Sequence, residues 1–63
     1  MKGYGKAVRD ILRENGCTFV RLGKGDHDIW RNRAGQSFTV PLKIMSRHMA
    51  NKILKDAGLD KHF

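Results

Sequence analysis

The sequence predicts an α+β domain in the order helix, three strands, helix (α-β-β-β-α), with two helices on one face of a three-stranded antiparallel sheet. Three observations carry that expectation. Apolar residues recur at helical spacing near both ends of the chain, three short runs of β-favouring residues lie between them, and glycine-bearing turns separate those runs. With 63 residues, of which 40% are hydrophobic, there is material for one small core. Residues 1–63 are therefore read as a single domain.

The first helix is expected over residues 4–15. Tyr4, Val8, Ile11 and Leu12 fall on one side of it, while Lys2, Lys6, Arg9 and Arg13 stack on the other. Asn15-Gly16 ends it, because glycine accepts the left-handed conformation that closes a helix. Cys17–Leu22, containing Thr18, Phe19 and Val20, reads as the first strand. Gly23-Lys24-Gly25-Asp26 is a turn by composition. His27–Arg31 follows as the second strand, and its alternation sets Ile29 and Trp30 on opposite faces without deciding which is covered. Asn32-Arg33-Ala34-Gly35 connects to Ser37–Val40, where Phe38 and Val40 face one way and Pro41 closes the strand. Ser46 is a good N-cap for a last helix that stops at Gly58. Met49, Ala50, Ile53, Leu54 and Ala57 form its expected apolar face, and Arg47, His48, Asn51, Lys52 and Lys55 its outer face. The methionines are read as core filling. Short connections favour a meander, and an apolar sheet face gives both helices something to cover.

Thirteen Lys and Arg against six Asp and Glu leave a net charge of +7. Such an excess attracts polyanions and speeds encounter with them, which favours nucleic acid as a partner over an acidic protein. No apolar run approaches the roughly 20 residues of a membrane span. Basic residues interrupt the N-terminal stretch where a signal peptide would be apolar, so the expected location is the cytoplasm with no membrane partner. Cys17 is the single cysteine, which precludes an intrachain disulfide. His27, His48 and His62 lack close metal-ligand spacing, so neither a metal nor another cofactor is expected.

The run Arg21-Leu22-Gly23-Lys24-Gly25-Asp26-His27 is where chemistry is expected. Gly25 and its glycine neighbour let backbone amides approach a phosphate, and Lys24 adds a point charge. The spacing is not that of a P-loop. Cleavage of RNA uses an internal nucleophile, the 2′-hydroxyl. It requires only proton transfer and positive charge around the phosphorus. A histidine titrating near neutral pH supplies the first, and Arg21 with Lys24 the second. Asp26 and Asp28 flank His27 in sequence and are expected to favour its protonated form. Lys6 and Arg9, on the basic stripe of the first helix, are further candidates for RNA contact. His48, on the outer face of the last helix, reads as an exposed helix histidine, and the second proton-transfer group stays open.

These residues together resemble the HicA toxins, small messenger-RNA interferases of bacterial and archaeal toxin–antitoxin systems. The resemblance runs from the first helix to Leu59. It rests on Asn15-Gly16, Val20-Arg21, Gly25-Asp26-His27, Gly35, Thr39-Val40-Pro41, and the closing Ile53-Leu54-Lys55-Asp56-Ala57-Gly58-Leu59. It implies a double-stranded-RNA-binding-domain-like fold and a metal-independent ribonuclease with one essential histidine, here His27. The implied setting is a cytoplasmic stress response. The implied partner is a HicB-type antitoxin that covers the histidine and the basic face. Relatives commonly carry serine where this chain has Asp26, and polar, basic residues where it has the apolar Leu42–Met45. Two other readings of the residues stay open: a non-catalytic RNA-binding module of the same fold, and a basic protein-interaction domain.

Overall fold

The computed structural model describes residues 3–60 and 63, so Lys2 and His62, named above, lie outside the described residues. The elements are α1 (Gly5–Glu14), β1 (Thr18–Leu22), β2 (His27–Arg31), β3 (Ser37–Pro41) and α2 (Arg47–Asp56). The strands form one antiparallel sheet in the order β1-β2-β3. This is the expected α+β arrangement, consistent with a double-stranded-RNA-binding-domain-like fold.

Helix α1 buries Val8 and Leu12, with Tyr4 and Ile11 packed at the edge of the same cluster. It ends as its sequence suggests. Gly16 takes a φ of 84°, and Cys17 donates its backbone N–H to Leu12 O at 2.9 Å. A side chain at Gly16 would also collide with the stem of Arg33, which leans in from the β2–β3 turn. Helix α2 starts at Ser46, whose hydroxyl accepts the N–H of Met49 at 3.0 Å. Ala50, Ile53, Leu54 and Ala57 are buried beneath it.

The methionines depart from expectation. Met45 and Met49 are exposed, and Ile44 fills the core position instead. The backbone explains this. Tyr4 N–H bonds to Ile44 O, which ties the β3–α2 connection to the start of α1 and turns the Ile44 side chain inward. Met49 sits in the first turn of α2, at the margin of the covered area.

Strand pairing decides what faces what, because residues directly opposite each other share a face. Asp28 pairs with Val40 and with Leu22, and Trp30 pairs with Phe38 and Phe19. This is the covered face: Trp30 and Val40 are core residues, so Ile29 is the one left on the open face. Phe19 meets Trp30 edge-on at 6.1 Å, and the Arg13 guanidinium lies 5.4 Å from the Trp30 ring centre. The other face carries His27 with Pro41, Arg21 with Ile29 and Thr39, and Thr18 with Arg31 and Ser37. A bulge at Val20 is what puts Arg21 there. Phe19 and Arg21 are two apart and would otherwise share a face, but the extra residue between their partners reverses the second half of β1.

Candidate functional site

His27 is the first residue of β2, delivered directly from the Gly23–Asp26 turn. Its main chain is fixed on both sides. Gly23 N–H donates to His27 O at 2.8 Å, and Leu42 N–H donates to Asp26 O at 2.8 Å just beside it. Across the sheet the row reads Gly23, His27, Pro41. Neither neighbour has a long side chain, so the imidazole is exposed on the helix-free face. Among the described residues no side chain hydrogen-bonds to it. Gly23 itself is closely packed, since a Cβ there would lie 3.0 Å from Ile29 Cδ1.

The site residues named from the sequence fall into two groups. Arg21, on the same face, lies one row away from His27. Lys24 and Gly25 are exposed in the adjoining turn, where Gly25 has a φ of 63° and nothing within 4 Å of a would-be Cβ. These three and His27 make one corner of the molecule, open to a ligand. Lys6 and Arg9 belong to α1, on the covered side of the sheet. Lys6 is exposed and bonds Asp10 at 2.8 Å. That bond holds the Asp10 carboxyl below its ordinary range, with the Lys6 and Arg13 charges adding to the effect.

Arg9 points inward. Its Nη2 donates to Asp28 Oδ2 at 3.0 Å and to Pro41 O at 3.0 Å, its Nε to the same carboxylate oxygen at 3.3 Å, and its Nη1 to Gly5 O at 3.3 Å. The guanidinium therefore clamps β2 and β3 from below, one at the residue after His27 and the other at the residue opposite it. Asp28 is buried in this clamp, on the face away from the imidazole. It therefore does not flank His27 in space, contrary to the expectation from adjacency. Consecutive strand residues face opposite ways, and the buried carboxylate has its own cation.

Sequence reasoning passed over Arg31. It shares the open face with His27, and the period of two from His27 through Ile29 would have found it. His48 is exposed on α2 and belongs to the helix layer, not to this corner. Cys17 is buried beside the end of α1, and burial pushes its thiol above the ordinary value. Among the described residues no three His, Cys, Asp or Glu side chains gather where they could hold a metal ion. No helix in the described residues is long and apolar enough to cross a membrane.

The open corner thus combines one exposed imidazole, two cationic side chains and a turn whose Gly25 stands open to solvent. Such a set can transfer a proton and hold an anion. Comparison with curated proteins and with solved structures returned no significant match. The family model described as the HicA toxin of bacterial toxin–antitoxin systems matches residues 5–59, which takes in both helices and all three strands, and the chain belongs to that family.

Proposed function

We propose that this protein is a metal-independent ribonuclease that cleaves messenger RNA in the cytoplasm with His27, and that a HicB-type antitoxin neutralises it. Membership of the family makes it a toxin with an antitoxin partner and supports a nuclease activity in general. The observation that carries the finer reading is the exposed His27 on the helix-free face, beside Arg21, Lys24 and Gly25. In the reaction the 2′-oxygen forms a bond to phosphorus while the bond from phosphorus to the 5′-oxygen breaks. The products are a 2′,3′-cyclic phosphate end and a 5′-hydroxyl end. His27 either takes the proton from the 2′-hydroxyl or delivers one to the leaving 5′-oxygen, and solvent water serves the other transfer. Arg21, Lys24 and the backbone amides of Lys24 and Gly25 stabilise the negative charge that grows on the phosphoryl oxygens.

The test is cleavage of a messenger-RNA transcript by the purified toxin and by His27→Ala. The variant is expected to lose about 10²–10⁴-fold in rate, the range of a single acid–base group, while still binding the transcript. The parent is expected to keep its rate in EDTA. Cleavage by His27→Ala at the parental rate would remove the assignment. Binding without any cleavage by the parent would leave the RNA-binding module.

A further inference from the structure

β1 is the weak side of the sheet. All five of its residues are exposed, including Phe19 at 50%, Val20 at 38% and Leu22 at 69%. The helices cover β2 and β3, and among the described residues β1 pairs with β2 alone. Its outer edge therefore offers backbone groups free of any other strand, flanked by three apolar side chains, with Leu22 O held only by the neighbouring Arg21 Nη1 at 3.4 Å, the pattern that templates another strand. The other edge is different. In β3 Val40 is buried, Phe38 is packed on the core, and the strand ends at Pro41, which has no N–H to give.

We infer that the free edge of β1 is a docking site for an extended, acidic segment of the antitoxin, which pairs with β1 as a fourth strand. Charge selects the occupant. From Asn15 to Gly25 the chain carries Arg21 and Lys24 and no carboxylate, and the strand is bordered by Arg31 and Arg33. A second copy of this chain would bring its own net charge of +7 to the same edge. An acidic strand with alternating apolar residues instead matches Arg21 on the open face, and Phe19 and Leu22 on the covered side.

Docking there also reaches the histidine. The row across the sheet would become partner residue, Gly23, His27, Pro41. Neighbouring strands lie about 4.8 Å apart, so the partner residue would stand about two strand spacings from His27. Only a glycine stands between them. A carboxylate side chain at that position extends over Gly23 towards the imidazole and occupies the ground that a phosphate would take. This part rests on the proposed function, whereas the docking itself does not.

The experiment is amide hydrogen exchange of the toxin free and in its purified complex with the antitoxin, with affinities for Phe19→Ser and Leu22→Ser. Phe19 and Leu22 are exposed, and both lie on the covered side of the sheet, opposite the face that carries His27, so both changes fall outside the catalytic corner. The complex is expected to slow exchange in Thr18–Leu22 by about tenfold or more. Each variant is expected to weaken binding about tenfold while RNA cleavage by the free toxin stays at the parental rate. Unchanged exchange in β1, or parental affinity in both variants, overturns the inference. So does concentration-dependent protection of β1 in the toxin alone, which would mean a second copy. A β1 footprint on a toxin that cleaves no RNA upholds the docking site and removes the ribonuclease reading instead.

Discussion

Arg9 and Asp28 form an ion pair at 3.0 Å directly beneath His27, with the carboxylate on one side of β2 and the imidazole on the other. The carboxylate is buried and the guanidinium mostly covered, and the cation also holds Pro41 O and Gly5 O. One side chain thus joins the start of α1 to the two strands that carry the site.

Breaking that pair from one side is expected to be costly. Arg9→Met strands a buried carboxylate, for which about 3–5 kcal/mol of lost stability is usual. The double variant Arg9→Met/Asp28→Leu is expected to recover most of the loss, because no charge is left without a partner. Urea unfolding of the parent, both single variants and the double variant gives the coupling. Additive losses would show that the two residues act separately.

RNA affinity should fall with salt according to how many phosphates the corner engages. For a single strand, each phosphate that the protein ceases to neutralise lowers the slope of log K against log[salt] by about 0.7. Arg21→Ala and Lys24→Ala are each expected to lower it by about that much. The same titration on Lys6→Ala separates the two layers of the protein. An unchanged slope confines RNA to the sheet face, and a lowered one brings α1 into contact.

Among the described residues Trp30 is the largest fully buried side chain, and its indole N–H finds no hydrogen-bond partner there. Trp30→Ala is expected to cost about 3–5 kcal/mol, enough to unfold most of the population of so small a domain. Trp30→Phe keeps the ring against Phe19 and Arg13 and removes the orphaned donor. Its cost is expected to be smaller, about 1–2 kcal/mol. Thermal melts decide it. Equal losses for the two variants would mean that the indole N–H is satisfied after all.

Cys17 should be slow to react with a thiol reagent until the chain opens, since its thiol is both buried and raised above its ordinary value. A raised value means that folding favours the protonated thiol. Its contribution to stability is whole below the unfolded value, near 9.0, and is lost as pH rises through the folded one. Cys17→Ala is therefore expected to flatten the fall of stability on the alkaline side. A parent and variant that decline in parallel would count against it.

Much of this architecture is legible in the residues. The Ser46 cap, the spacing of Ala50, Ile53, Leu54 and Ala57, and the glycine turns place the elements to within a residue or two. The position of His27 at the mouth of a strand follows from the same turn. What stays hidden depends on residues that meet from far apart in the chain. Asp28 reads as a companion of His27 until the partner 19 residues earlier is seen. The bulge at Val20 leaves no mark in Thr-Phe-Val-Arg-Leu, yet it alone decides that Arg21 shares a face with the histidine. Met49 has helical spacing for the core, but the β3–α2 connection sends Ile44 there first.

The bond from Arg9 to Pro41 spans 32 positions, half of the chain. An incomplete chain that stops after β2 would already contain α1, the first hairpin and the histidine itself. It would lack the strand whose carbonyl completes the clamp and whose Pro41 borders the imidazole. Partial products of synthesis or of proteolysis are thus expected to be harmless, however much of the charged surface they keep. For a toxin, activity is then expected only once the sheet is finished.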